Sequence, residues 1–173
     1  SANIGEALKR LAKLLGYEVL GDAHLGDYGR PLGLVIKEIQ EMYPNLAYFD
    51  ENYSGNYDEI DLPITNADLE RIYPLASTKA KEDEAYLEDS RDITVKFQDG
   101  VRGYYDLWKR IVDISKEDIK KIYDRLNVSF EIWNGESDEM AYFDKLMAIY
   151  EDKHFIIESE GAKVIDVSRE EDN

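Results

Sequence analysis

The chain has 173 residues, 43% of them apolar and 12% aromatic, and a formal net charge of −17 from 21 basic and 38 acidic side chains. That composition is too rich in core-forming residues for a disordered chain and fits one domain. With no cysteine, disulfides, thiolate metal sites and a cysteine nucleophile are excluded. No apolar run approaches the roughly 18 residues of a membrane span and no leader pattern is visible, so a cytoplasmic location without membrane partners is expected. The acidity disfavours a phosphate backbone as partner, and it is uneven: residues 1–42 carry 5 basic and 6 acidic side chains, so nearly all the excess lies in the remainder.

From the N-terminus, Ile4, Leu8, Leu11 and Leu15 form one stripe and predict a helix over 3–15, with Asn3 and Glu6 as a capping box and Gly16 as its stop. Tyr17–Leu20 follows as a short strand. The order helix, glycine, strand is half of a βαβ crossover without its first strand, and with no initiator Met the chain reads as a piece cut from something longer, or processed. Three glycines then punctuate Gly21–Pro31, and Pro31 suits the first turn of a helix over about 31–42 that Pro44 closes. Residues 43–64 read as an irregular excursion packed by Tyr48, Phe49, Tyr53 and Tyr57.

Thr65 and Asp68 predict a second capping box, opening a helical stretch that runs with high charge to Asp99-Gly100. A helix over 104–112 and a separate one begun at Ser115 are expected next, then a strand at Val128–Trp133 from its period-two alternation. Asn134-Gly135 turns, Ser137 is placed to cap a helix over about 138–151, and Phe155–Glu158 with Lys163–Val167 predict a hairpin. The tail from Ser168 is polar and acidic. The basic groups Lys9-Arg10-Lys13 and Lys120-Lys121 with Arg125 read as solvated helix faces.

Two constellations carry chemistry. His24-Leu25-Gly26-Asp27-Tyr28-Gly29 sits between a predicted strand and a predicted helix, where open α/β sheets bind ligands. There glycines admit close backbone approach and the following helix start offers N–H groups to an anion. His24 can donate to a carboxylate or phosphate, Asp27 can accept from a hydroxyl or ammonium, and Tyr28 offers a ring face. The alternative is a structural loop in which Asp27 caps the following helix and His24 bonds nearby backbone. The second is Trp133-Asn134-Gly135-Glu136-Ser137, where Glu136 at a strand end can pair with an ammonium or guanidinium or simply belong to a turn. Neither a dinucleotide fingerprint nor a P-loop is present. His24 and His154 are too far apart in sequence to suggest a metal motif, and Glu82-Asp83-Glu84 and Glu170-Glu171-Asp172 read as solvated charge. No catalytic or metal-ligating residue is assigned.

The opening run Ile4-Gly5-Glu6-Ala7-Leu8, then Leu15-Gly16-Tyr17-Glu18-Val19 and His24-Leu25-Gly26-Asp27-Tyr28-Gly29, resembles arginyl-tRNA synthetase, a class I aminoacyl-tRNA synthetase. Tyr73-Pro74, Ala80 to Glu84, Leu107-Trp108, Leu126 to Phe130, Gly135-Glu136-Ser137 and the hairpin around Glu160-Gly161 extend the likeness along the chain. The resemblance implies an α/β fold: part of a Rossmann-like class I catalytic domain at 1–42, a mainly helical acidic insertion at 43–126, and a strand, helix and β-hairpin segment at 127–173. It implies a parent enzyme that activates L-arginine with ATP and Mg²⁺ and esterifies tRNA-Arg. His24, Gly26, Asp27, Tyr28 and Glu136 would then border the arginine and adenylate cleft. The family's signatures His-x-Gly-His and Lys-Met-Ser-Lys-Ser are not found in this sequence, nor its tyrosine and aspartate that read the guanidinium. Both signatures stabilise charge on the transferring phosphorus, so these residues alone are expected to be inactive and to bind tRNA weakly or not at all. A non-catalytic binding or scaffold module sharing the fold, and a small independent nucleotide-binding enzyme, are the competing readings.

Overall fold

A computed structural model describes residues 2–159 and 161–168. Among the described residues six helices, α1 (Ala2–Leu14), α2 (Arg30–Met42), α3 (Asn66–Glu82), α4 (Glu84–Gln98), α5 (Tyr104–Arg125) and α6 (Glu136–Asp152), precede one antiparallel hairpin, β1 (Ile156–Ser159) and β2 (Ala162–Ile165). Short 3-10 turns at Ala47–Phe49 and Tyr57–Glu59 shape the segment between α2 and α3.

Helices α2 to α5 enclose the main core. Ile36 and Ile39 of α2 meet Leu69 and Ile72 of α3, Ile93 and Phe97 of α4, and Leu107, Trp108 and Ile111 of α5, while Tyr48, Tyr57, Leu62 and Ile64 fill in from the 43–64 segment. The excursion is thus packed by its aromatic residues, as expected. Tyr48 and Tyr57 stack at 5.4 Å, the Tyr48 hydroxyl donates to Tyr57 O at 3.2 Å, and the Arg102 guanidinium lies over the Tyr57 ring. Helices α2 and α4 cross closely at Gly33, where an added Cβ would sit 2.0 Å from Thr94 Oγ1 and 2.5 Å from Ser90 O. Beside the core, Glu38 is buried and accepts two bonds from Lys79 Nζ at 2.8 Å and one from the Tyr86 hydroxyl at 2.8 Å. Burial, and then this bond, push the Tyr86 hydroxyl pKa well up.

Local signals account for several boundaries. The Thr65–Asp68 capping box forms, Gly16 closes α1 with φ +89°, and the hairpin pairs Ile156 with Ile165 and Ser159 with Ala162. Glu160 and the acidic triplet 170–172 lie outside the described residues.

Other boundaries differ. The charged stretch after Thr65 is two helices, because Asp83 leaves helical geometry and accepts from Ala85 N and Tyr86 N as the cap of α4. The expected restart at Ser115 does not occur: α5 runs unbroken, and the Ser115 hydroxyl donates to Ile111 O within it. Helix α1 begins before Asn3, and Glu6 caps nothing; it turns into the interior instead. In the Lys9-Arg10-Lys13 group only Lys9 is buried, while Arg10 and Lys13 stay about half exposed. Lys9 Nζ reaches Glu6 at 3.0 Å and also donates to Ser129 O, while Arg10 bonds Glu6 Oε1 at 2.5 Å and Asn127 O at 2.6 Å.

The two single strands expected at 17–20 and 128–133 shift. Tyr17–Leu20 joins no ladder; backbone pairing starts at Gly21. Gly21 O accepts from Glu131 N and Ile132 N, Ala23 N donates to Ile132 O, Leu25 N to Asn134 O, and Glu136 N to Leu25 O, all at 2.9–3.0 Å. This is a short parallel pairing, with bridges at Asp22–Ile132 and Leu25–Gly135. Alternation of side chains marks an extended segment but not which part of it meets a partner, so the register slid toward the glycines.

Candidate functional site

The parallel pairing delivers two chain ends to one place. After Leu25 the chain enters the turn 26–29 and then α2; after Gly135 it enters α6. Of the five residues singled out in the sequence, Gly26, Asp27, Tyr28 and Glu136 lie along these two exits and His24 just precedes the first. The pairing brings Gly26, Asp27 and Glu136 into proximity, while His24 and Tyr28 flank them.

Asp27 is the most enclosed, 5% exposed. Its Oδ1 accepts the Ser137 N–H at 3.0 Å and its Oδ2 the Ser137 hydroxyl at 2.9 Å. Its carbonyl accepts the Trp108 indole N–H at 2.6 Å. The carboxylate therefore sits at the N-terminus of α6, where free N–H groups and the helix dipole favour negative charge. It does not cap α2, the sequence-based alternative: α2 starts from Gly29 without a side-chain cap. Ser137 does not cap α6 either. That helix takes its N-cap two residues earlier, at Gly135, whose N–H donates to Asp138 Oδ2 at 2.8 Å.

Gly135 is required by this arrangement. A Cβ there would lie 2.2 Å from Asp27 Oδ2, closer than any side chain can be tolerated. Glu136, by contrast, is exposed. Its two carboxylate oxygens hang over the turn, within 3.9 Å of where a Gly26 Cβ would stand and 4.0 Å of where a Gly29 Cβ would. His24 is also exposed, with Nδ1 3.8 Å from Asp22 Oδ2.

Tyr28 packs edge-on against Phe97 and Trp108, at 5.8 and 5.7 Å. Its hydroxyl donates to Gln98 O at 3.0 Å, and Gln98 Nε2 returns a bond to Tyr28 O at 2.6 Å. Burial raises the Tyr28 hydroxyl pKa. The ring is thus anchored in the helical core while it also borders the cleft beside Asp27.

Two clefts flank Asp27. One, of about 320 Å³, lies between α5 and the start of α6, with Tyr105, Lys109, Lys116 and Asp138 on its walls. The other, of about 200 Å³, is lined by Leu25, Gly26, Leu32, Val112 and Ile119. Among the described residues no group of three or more His, Asp or Glu side chains is placed to hold a metal ion. Trp108 and Ser137 were missed as site residues in the sequence. The signal for Ser137 was present: a glycine immediately before a helix start permits close approach by an anion that the next residues can bind.

Comparison with known proteins places this geometry in a family. The profile of tRNA synthetases class I (R), catalytic domain, matches residues 1–172. The arginine–tRNA ligase of Alkaliphilus oremlandii is 44% identical over 173 residues, all of this chain and 29% of that protein. That of Agathobacter rectalis is 46% identical over 172 residues, 99% of this chain and 29% of that protein. The crystal structure of arginyl-tRNA synthetase from Plasmodium falciparum superposes with a TM-score of 0.71 over 96% of this chain and 25% of that one, at 21% identity, and so shares its fold. The chain thus spans about 29% of the length of the curated relatives it matches.

Proposed function

The chain belongs to the class I tRNA synthetases of the arginine type, in their catalytic domain, and from that premise we propose that it is a segment of an arginine–tRNA ligase. The full enzyme activates L-arginine with ATP and transfers it to tRNA-Arg, in the cytoplasm. No described helix is long and apolar enough to cross a membrane.

In this reading His24, Gly26, Asp27, Tyr28 and Glu136 border the arginine and adenylate cleft. Segments 1–42 and 127–173 contribute to a Rossmann-like catalytic sheet, and 43–126 is a helical insertion, although α2, in the first segment, packs into the insertion's core. The short parallel pairing of 21–25 with 131–136 supports that division, because parallel neighbours at strand ends are where such sheets place ligands. Mg²⁺ accompanies ATP in the family's chemistry. Among the described residues no set of acidic side chains converges to hold it.

The observation that carries the reading is coincidence of two kinds of match. Arginine–tRNA ligases align with the whole chain at 44–46% identity, and the two sequence constellations converge at one junction, with an exposed carboxylate, Glu136, over a glycine-rich turn. A carboxylate at such a rim pairs with a cationic ligand group. The 173 residues alone do not complete the reaction, since the phosphate-stabilising signatures are not among them. Amino-acid-dependent pyrophosphate exchange tests both halves. The full ligase chain carrying this segment should exchange with arginine and not with lysine, and the 173-residue chain should not exceed a blank. Exchange by the full chain with another amino acid but not arginine removes the first half; exchange by the short chain removes the second.

A further inference from the structure

Glu136 is exposed, yet its backbone is held from three directions. Its N–H donates to Leu25 O at 3.0 Å. Its predecessor Gly135 abuts the Asp27 carboxylate, and its successor Ser137 gives both its N–H and its hydroxyl to that same carboxylate. Asp27 in turn is fastened to the core through Trp108, which is buried and stacked 5.8 Å from Phe97. Asp27 cannot turn to a ligand without releasing two hydrogen bonds in a buried setting. Glu136 keeps only its side-chain torsions free.

We propose, resting on the functional reading above, that Asp27 is a positioning residue that pins the first turn of α6, so that Glu136 presents its carboxylate to a cationic group of arginine. Trp108 ties this pin to the helical body. A carboxylate suits the role for a reason beyond charge. Both of its oxygens accept, so it satisfies the two Ser137 donors together; an asparagine has one accepting oxygen, and its NH₂ would face a donor. Pre-orientation of a binding group is the use of such supporting contacts.

Two measurements decide the matter. In the 173-residue chain, Asp27→Asn should speed amide hydrogen exchange at Ser137 by about tenfold or more while Ile36 and Phe97 keep their protection. Unchanged exchange at Ser137 would overturn the pin. Should Asp27→Asn fold poorly, Ser137→Ala gives the same readout at Glu136 and Asp138. In the full ligase, Asp27→Asn should raise KM for arginine about tenfold and leave KM for ATP within about twofold. Ser137→Ala should follow in the same direction and Ser137→Thr, which keeps the hydroxyl, should restore it. Asp27→Asn combined with Glu136→Gln should be no worse than Glu136→Gln alone, since the first acts through the second. Additive losses, or equal rises in both KM values, would mark a general structural role and defeat the proposal. If the unsubstituted ligase shows no arginine-dependent exchange, the functional reading falls before any variant is made, and the arginine part of this inference with it; hydrogen exchange still decides the pin.

Discussion

Helices α2 to α5 and helices α1 and α6 are written with apolar residues at similar spacing, and they put those residues to opposite ends. In the helical body the stripes meet one another: Ile36, Ile39, Phe97 and Leu107 are essentially inaccessible. In α1 the stripe faces outward, with Ile4 68%, Leu8 61% and Leu11 53% exposed, and the helix is fastened by its charged side, where Glu6 and Lys9 are buried. Helix α6 has no buried residue; Tyr142 and Phe143 are exposed, and so is Ile157 of the hairpin. Periodicity therefore reports that a helix has an apolar face. It does not report whether the partner of that face lies within the same 173 residues.

The comparison breaks most readily under truncation of large side chains. Phe97→Ala should cost about 3–5 kcal/mol, the loss of a fully buried ring stacked on Trp108. Leu8→Ala, removing an equally regular position of α1, should change stability by less than about 0.5 kcal/mol. Urea denaturation followed by circular dichroism reads both. Comparable losses from the two substitutions would mean that the α1 stripe is covered in solution and that the contrast is false.

A smaller effect sharpens the same contrast from the packing side. Gly33→Ala places a methyl where α2 and α4 touch, against Thr94 Oγ1 and the Ser90 carbonyl. The hydroxyl can rotate away but the carbonyl belongs to a helix backbone, so the crossing must open, at about 1–3 kcal/mol. A neutral or stabilising result, as expected for Gly→Ala in an open helix, would show that the body tolerates looser packing than its geometry indicates.

Much of the fold was legible in the sequence. The Thr65–Asp68 box, the Gly16 stop, the aromatic packing of 43–64 and the 156–165 hairpin all follow from local rules acting within a few residues. The misjudged features depend on contacts between residues far apart in sequence. Glu6 resembled a capping residue because Asn3 precedes it, but its partner is Ser129 N, 3.1 Å away. Asp27 looked like a ligand or the cap of α2, and it serves α6 more than 100 residues on. Ser115 carried the mark of a helix start, and the apolar face running from Ile111 through Ile119 overrode it. The candidate site was legible as two strand ends and their residue types; which carboxylate is sheltered and which exposed was not, since burial is decided by Trp108 and Gly135 from other parts of the fold.

The subtlest difference between the two regions is their response to acid. The α1 seam depends on ionised carboxylates. Glu6 is held at a pKa of about 2 rather than the usual 4.5, first by Arg10, then by the Ser129 N–H and Lys9. Glu131, which bonds Lys13 and the Gly21 N–H, is held at about 2 as well. A folded value below the unfolded one means that each carboxylate stabilises fully above pH 4.5 and loses its contribution as the pH falls toward 2. The helical body contains one comparable group, Asp68 at the cap of α3, but beneath that cap lies an apolar core that does not titrate. Amide exchange followed from pH 4.5 downward, where the seam begins to weaken, should therefore show α1 losing protection before Ile39 or Phe97. Glu6→Gln, which removes the titrating group and keeps the shape, should flatten the response of α1 and leave that of the body as it was. Simultaneous loss in both regions, in the substituted and unsubstituted chains alike, would mean that α1 is held by its apolar side after all, and that charge at the seam follows the docking of this helix rather than causing it.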